Sequence, residues 1–315
     1  MRCVAAVAAH HAAPSAPFRD EHSTMSAELR VAYAGEPGAF AEDALIAYFG
    51  EAVTSIPVGS FGAVREAILD GRADAGVLPI ENVVNGTVRE TLDLLRDGAL
   101  QIVGEAVVPV HLVVAALPGV ALAEVLRIYS HAQALAQAEG YLKSRDWTLL
   151  TTYNTAGAGA MIRERRERDA AALLSPRAAT LHGLTPLTGP VEGSEGNRTR
   201  FWILQRAGGA ATRGAAMAEA SNGATNRTTL LIGVKNEPGT LLAVLAQIAS
   251  AGLNMSKLES RPSAGSDWEY VFWVDLDAGE GDPALATALE GLRGVTTELR
   301  LLGSYPRATE PASRV

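Results

Sequence analysis

Cysteine is almost missing from this 315-residue chain, where Cys3 stands alone. One thiol closes no intrachain disulfide and supports no cysteine-based metal site, which fits a reducing cytoplasm. Long apolar runs are missing as well. No stretch approaches the ~18 residues of a membrane helix. The Ala-rich start from Met1 to Pro17 is interrupted by His10 and His11, and its apolar core is too short for a signal peptide. Positive charge is in deficit. The 27 Lys and Arg against 35 Asp and Glu leave a formal net charge of −8. That balance argues against nucleic acid or an anionic membrane as partner. No phosphate loop, metal-ligand cluster or nucleophile elbow is found, and the Gly-rich turns lack Rossmann spacing.

What is present suits a globular protein: 48% hydrophobic and 20% charged residues, with length for two domains or three small ones. Residues 1–28 read as a disordered extension, with Met25 an alternative start, because the first strand-like run begins at Leu29. From there short β-rich runs alternate with helical patterns. The runs are Leu29–Ala34, Val53–Val58, Ala73–Ile80, a long strand region Leu100–Ala116, Arg127–Tyr129, Thr148–Tyr153, Ala170–Leu174 and Arg200–Gln205. The helices fall at Phe40–Phe49, Phe61–Leu69, Val88–Leu95, Ala132–Leu142 and Ala156–Arg166. Such alternation predicts an α/β sheet with helices on its faces. The Ala-, Gly-, Ser-, Thr- and Asn-rich stretch Arg206–Arg227 has no apolar period and reads as a linker. After it the order is βαββαβ, the ferredoxin-like unit. Its elements are Thr228–Lys235, Thr240–Ser250, Asn254–Arg261, Trp268–Asp277, Pro283–Leu292 and Thr296–Leu302. Trp268 and Trp273 read as packing residues of one strand, and the tail from Arg307 as loose.

Four turns open helices after β-runs: Gly35–Gly38, Pro79–Asn82 with Asn85–Thr87, Ser130–His131, and Asn154–Gly157. Thr87 and Glu90 have capping-box spacing, and Ser130 is placed to cap the next helix. In an open α/β sheet such turns gather at the carboxyl ends of the strands. Helix N-termini there offer free N–H groups to an anion, which lets an acidic protein hold a carboxylate. The ordinary reading is capped helices with no ligand. Asn197-Arg198-Thr199-Arg200-Phe201 sets two arginines around a hydroxyl before a strand. An arginine there can clamp a carboxylate, and an exposed solvated turn explains the same residues. His131 is an acid/base candidate, although a histidine in this place more often caps or packs.

Taken together these motifs resemble the prephenate dehydratase family. The motifs are Gly35-Glu36-Pro37-Gly38-Ala39-Phe40, Pro79-Ile80-Glu81-Asn82, Gly86-Thr87-Val88, Thr91–Leu95, Ser130-His131 with Gln133, Ala134, Leu135 and Gln137, Thr155-Ala156, and Thr199-Arg200-Phe201. The C-terminal unit resembles an ACT domain through Asn236-Glu237-Pro238-Gly239-Thr240-Leu241 and Glu259-Ser260-Arg261-Pro262. The resemblance implies a catalytic domain over 29–206 with two lobes arranged like a type 2 periplasmic binding protein. A linker over 207–226, an ACT regulatory domain over 227–307 and a tail over 308–315 complete the chain.

What the resemblance implies about activity is specific. The substrate is prephenate, which loses CO2 and its ring hydroxyl to give phenylpyruvate in phenylalanine biosynthesis. Aromatisation drives the reaction, so no metal or other cofactor is expected. Thr199 would assist departure of the hydroxyl, in a network with Ser130, His131 and Gln133. Glu81, Asn82, Gly86, Thr87, Thr155, Ala156, Arg200 and Phe201 are the candidates for holding substrate. Arg200 has an alternative role, pairing with a carboxylate such as Glu81. L-Phenylalanine is the expected feedback effector, held by Asn236, Pro238, Gly239, Thr240 and Leu241 with Asn254, Glu259, Ser260, Arg261 and Pro262. Pairing of ACT units implies a homodimer or homotetramer in the cytoplasm. With 28 residues ahead of Leu29, no chorismate mutase activity is expected. Ala39, Ala41, Ala132, Ala138 and Gly157 depart from common family residues, and Gly157 with its neighbours resembles arogenate dehydratases. Arogenate dehydratase is therefore the near alternative, and a non-catalytic amino-acid sensor is the alternative from another class.

Overall fold

The computed structural model describes residues 28–209, 226–262 and 270–308. Cys3, His10, His11, Met25, most of the expected linker, Trp268 and nearly all of the tail lie outside them. Lobe 1 begins with β1 (Arg30–Ala34), α1 (Phe40–Phe49), β2 (Thr54–Val58), α2 (Phe61–Leu69), β3 (Ala75–Asn82), the short β4 (Gly86–Thr87), α3 (Arg89–Leu94) and β5 (Leu100–Pro109). Lobe 2 follows with β6 (Val113–Ala116), β7 (Arg127–Ser130), α4 (Ala132–Gln137), α5 (Glu139–Leu142), β8 (Thr148–Thr151), α6 (Thr155–Arg165), β9 (Ala170–Leu174), α7 (Pro176–Leu181) and β10 (Thr185–Pro186). The chain then returns to lobe 1 with β11 (Arg198–Arg206).

Each lobe has its own sheet. Lobe 1 is ordered β2-β1-β3-β11-β5, with β4 on the end of β3. Lobe 2 is ordered β10-β6-β9-β7-β8. β3 and β9 are near-continuous apolar runs, as strands covered on both faces must be. The expected strand region Leu100–Ala116 is two strands, β5 in one sheet and β6 in the other. The intervening Val110–Leu112 carries the chain between lobes, where Val110 N–H bonds to Asn197 O at 2.8 Å. An apolar run gives no signal for a change of sheet.

Other expectations need correction. The helix expected over Ala132–Leu142 breaks at Ala138, whose φ of −101° and ψ of 12° are not helical. The Thr87/Glu90 capping box does not form. Thr87 belongs to β4, and α3 starts one residue later behind Val88, which has no side-chain cap. The α4 N-cap is His131, whose Nδ1 accepts from Gln133 N–H, and not Ser130. Helix α7 went unread, although Ser175 at its N-cap and Pro176 at its first position are a recognised start signal.

The C-terminal unit keeps the expected order: β12 (Asn226–Val234), α8 (Thr240–Ser250), β13 (Met255–Pro262), β14 (Tyr270–Leu276), α9 (Pro283–Arg293) and β15 (Glu298–Pro306). Its antiparallel sheet is ordered β13-β14-β12-β15. One face buries Leu230, Ile232, Val274 and Leu276 under α8 and α9. The other face supplies Leu231, Val271, Trp273, Leu302 and Tyr305 to the same apolar cluster as Ile80, Leu92, Ile102, Trp202 and Leu204 of lobe 1. Trp273 sits 6.3 Å from Trp202, centroid to centroid, and Trp202 Nε1–H donates to Tyr305 Oη at 3.1 Å. At Gly303 β15 crosses β5 so closely that a Cβ would overlap the Ile102 carbonyl. No helix among the described residues is long and apolar enough to cross a membrane.

Candidate active site

The cleft between the lobes holds a cavity of about 460 Å³, the size of a small-ligand site. Its floor is the end of β3 and β11, where Asn82, Thr199 and Phe201 face inward. Its walls are helix starts: Gly38–Ala41 at α1, Ser60 and Phe61 at α2, His131 and Gln133 at α4, Asn154–Ala156 at α6, and Ser175 at α7. Asn154 Oδ1 accepts from Gly157 N–H, and Ser60 Oγ accepts from Ala63 N–H at 3.1 Å. The cap side chains thus serve inner N–H groups of their own helices. Among the described residues no Lys or Arg lines this cavity, and Glu90 is its one acidic residue. Positive potential inside it comes from helix N-termini.

Asn82 organises the floor. Its Oδ1 accepts from Val84 N–H and Asn85 N–H, both at 3.0 Å, which folds the turn behind β3. Its Nδ2 donates to Asn197 Oδ1 (2.9 Å), Arg198 O (3.1 Å) and Thr199 Oγ1 (3.0 Å). The strand register puts Asn82 opposite Thr199 and Glu81 opposite Arg200. Neighbours on a strand face opposite ways. Thr199 therefore points into the cleft and Arg200 away from it.

Arg200 is accordingly not a substrate clamp. Its guanidinium bonds Glu81 Oε2 (3.0 Å), Glu105 Oε2 (3.2 Å) and Asp275 Oδ2 (2.8 Å), the last from the C-terminal unit. Burial disfavours its charge, but the Asp275 and Glu105 carboxylates outweigh that and hold it protonated beyond the usual arginine range. Glu81 lies on the same side. Burial works against its ionised form, yet Lys257 and Arg200 hold its carboxyl below the usual range. Thr87 also faces the C-terminal unit: its hydroxyl donates to Glu259 Oε2 at 3.0 Å and accepts from Lys257 Nζ at 2.8 Å. Gly86 pairs with Asn82 in β4 but does not line the cavity. Ser130 is fully buried, its hydroxyl given to Leu173 O at 2.6 Å within the lobe 2 sheet. The expected residues gathered around the cavity are Thr199, Asn82, His131, Gln133, Thr155, Ala156 and Phe201.

Sequence reasoning missed the lobe-to-lobe contact beside the cleft. Arg177 Nη1 of α7 reaches Glu42 Oε2 (2.7 Å) and Asp43 Oδ1 (3.0 Å) of α1. Ser175 Oγ donates to Gly38 O at 3.3 Å. Gly38 has φ +90°, and a Cβ there would press on Ala178, so this meeting of lobes requires glycine. Burial pushes the Asp43 carboxyl up to about 6 despite Arg177. The Glu-Pro-Gly turn and the Ser-Pro helix start were the available signals.

A second hollow of about 240 Å³ lies in the C-terminal unit. Asn236, Glu237, Gly239, Thr240 and Leu241 line it with Tyr270 and Phe272. Gly239 caps α8 at φ +87°. Pro238, Asn254 and Glu259–Pro262 do not line this hollow. Asn254 bonds Asp277 at 2.6 Å, Arg261 pairs with Asp93 at 2.6 Å, and Pro262 O accepts from Arg96 at 3.0 Å.

Comparison with known proteins agrees with this arrangement. The prephenate dehydratase family model matches residues 31–208 and the ACT domain model residues 228–294. A bifunctional chorismate mutase/prephenate dehydratase of Stutzerimonas stutzeri is 31% identical over 280 residues, 89% of this chain and 74% of that protein. Arogenate dehydratase 5 of Arabidopsis thaliana is 34% identical over 306 residues, 90% of this chain and 69% of that protein. The crystal structure of the Arthrobacter aurescens prephenate dehydratase in complex with L-Phe superposes with a TM-score of 0.77 at 33% identity, covering 91% of this chain and 93% of that one. The chain thus belongs to the prephenate dehydratase family, lyases of phenylalanine biosynthesis, and carries a C-terminal ACT domain.

Proposed function

We propose that this protein converts prephenate to phenylpyruvate, CO2 and water, with the Thr199 hydroxyl assisting departure of the ring hydroxyl. The observation that carries this is the Asn82 Nδ2···Thr199 Oγ1 contact of 3.0 Å at the cavity floor. A hydroxyl is one donor with two acceptor sites. The Asn82 amide can only donate there, so it occupies an acceptor site and leaves the Thr199 proton free for an oxygen in the cleft. As the C–O bond breaks, that oxygen gains negative charge and the hydrogen bond strengthens, which favours the transition state over bound substrate. Gln133 and His131 across the cavity extend the network around the departing oxygen.

The lining accounts for the other half of the reaction. An arginine fixed on the ring carboxylate would stabilise a charge that must flow into the ring as CO2 leaves. Helix N-termini bind a carboxylate with partial charges, and the α1, α2 and α6 starts are long-helix N-termini in this cavity. Phe201 and Phe61 offer apolar surface to the ring that becomes aromatic.

The test is turnover of prephenate, read as phenylpyruvate. Thr199→Ala is expected to lower kcat about 10²–10⁴-fold, the range of a lost proton donor, while Thr199→Ser keeps much of the activity. Unchanged turnover in Thr199→Ala removes the assignment. Arogenate, read as phenylalanine, is the parallel arm. Gly157 does not line the cavity, so it gives no contact that selects between the two substrates.

For regulation, the Asn236–Leu241 turn with Tyr270 and Phe272 is the site we infer for phenylalanine, carboxylate toward the turn and ring toward the aromatics. A paired ACT unit in a dimer or tetramer would complete it. Feedback requires that phenylalanine bind one quaternary state better than another. Phenylalanine titrated into the assay should lower activity, and activity that never responds removes this part.

A further inference from the structure

Behind Thr199 lies a group of charges that binding and chemistry do not use. Three cations, Arg200, Arg227 and Lys257, meet three carboxylates, Glu81, Glu105 and Asp275. Lobe 1 supplies Arg200, Glu81 and Glu105, while the ACT domain supplies Arg227, Lys257 and Asp275. Arg227 reaches Glu105 Oε2 at 2.6 Å, and Ala308 N–H bonds Glu105 Oε1 at 2.9 Å. Asp275 is 1% exposed, with its second oxygen accepting from Thr229 Oγ1 at 2.8 Å. Thr229 in turn meets Tyr305 Oη at 2.8 Å. Buried ion pairs of this kind add little net stability over apolar packing, but they fix one alignment of the parts they join.

The alignment fixed here is that of the catalytic strands. Glu81 and Arg200 are register partners, and the pair directly beside them is Asn82 and Thr199. A bulge between Arg200 and Phe201 interrupts the β3–β11 ladder at this point. Backbone hydrogen bonding alone thus holds the register less firmly beside the reacting hydroxyl. The ACT domain grips both strands there, Asp275 on β11 through Arg200, and Lys257 on β3 through Glu81. Lys257 and Glu259 also hold Thr87 of β4, the strand hydrogen-bonded to the same end of β3.

We propose that Arg200, clamped between Glu81 of lobe 1 and Asp275 of the ACT domain, is a positioning residue that sets the Thr199 hydroxyl against Asn82. The ACT domain thereby forms part of the catalytic apparatus even with no effector bound. This rests on the reading that Thr199 acts on the leaving hydroxyl.

The experiment is a double-mutant cycle in the full-length protein with prephenate and no added phenylalanine. Asp275→Asn keeps the side-chain shape and an acceptor for Thr229 but removes the charge facing Arg200. It is expected to lower kcat about tenfold, as a slightly misplaced catalytic group does, with KM within about twofold. In the Thr199→Ala background the same change is expected to lower kcat no further, since the group it positions is gone. Glu81→Gln, at a carboxylate that is 38% exposed, tests the other arm of the clamp while Arg200 keeps Glu105 and Asp275 and the Lys257 ammonium keeps the Thr87 hydroxyl. It should show the same dependence on Thr199 if Asp275→Asn does not fold. Equal losses in both backgrounds, or no loss in either, overturn the proposal while Thr199→Ala alone still impairs turnover. Full activity of Thr199→Ala is a separate result, which removes the catalytic reading itself.

Discussion

At the scale of single residues, function turns on which partner of a hydrogen bond donates. Asn82 offers an amide to Thr199 and an amide oxygen to the turn behind it. Asn82→Asp keeps the oxygen for the turn but puts a second acceptor against Asn197, Arg198 O and Thr199. The threonine proton would then turn toward the introduced carboxylate and away from the cleft. A fall in kcat of about 10²-fold or more is expected, with a folded protein by circular dichroism. Asp43 gives a prediction with a defined pH window. Its carboxyl is raised from 3.8 to about 6 in the folded protein, so the native state binds more protons than the unfolded chain between those values. Stability from this group is therefore present below pH 4 and lost as pH rises through 6. A shift of that size corresponds to about 3 kcal/mol. Asp43→Asn should match the parent in thermal unfolding at pH 4 and exceed it at pH 7.5; equal midpoints at both pH values count against this account.

At the scale of elements, much was legible. Periodicity and turn residues located most strands and helices of both lobes and the βαββαβ order of the ACT unit. The Asn197–Phe201 segment drew notice as a hydroxyl between two arginines, but an exposed turn explains that pattern as well, and the role expected of Thr199 came from the family resemblance. What stayed hidden depended on distant partners. Leu100 to Ala116 reads as continuous β-structure, and the step between sheets at Val110–Leu112 follows from lobe packing. Arg200 read either as an anion clamp or as a partner of Glu81; the Glu81 pair forms, while Glu105 and Asp275, 95 and 75 residues away in sequence, gave no signal. Ser130 looked like a cap because the Leu173 carbonyl that takes its hydroxyl belongs to a strand 43 residues on. The contact of β15 with β5 was hidden for the same reason and is directly testable. Gly303→Ala drives a methyl into the Ile102 backbone, which cannot rotate aside. Overpacking of this kind costs about 1–3 kcal/mol. A lower unfolding midpoint is expected, together with reduced kcat, because lifting β15 also loosens Tyr305 and the charge group beneath it.

At the scale of the whole molecule, the ACT unit is continuous with the catalytic domain. Trp202 and Leu204 share one apolar cluster with Leu231, Trp273 and Tyr305. A chain ending at Gly209 leaves that face of lobe 1 open to water. It is expected to bind a hydrophobic dye and to unfold at lower temperature than the full chain; a truncated chain with the parent's midpoint and no dye binding would show the two units to be independent. The order of strands has a further consequence, for synthesis. Lobe 2 is one unbroken segment between Val110 and Asn197, but lobe 1 is interrupted by it, and β11 fills the place between β3 and β5. A ribosome therefore releases all of lobe 2 before it releases the strand that completes lobe 1. During that interval β3 and β5 each present an unpaired edge, the kind of surface on which nascent chains pair wrongly. The strand that closes this gap is the one that carries Thr199, so the catalytic hydroxyl arrives in the same step that ends the period of exposure.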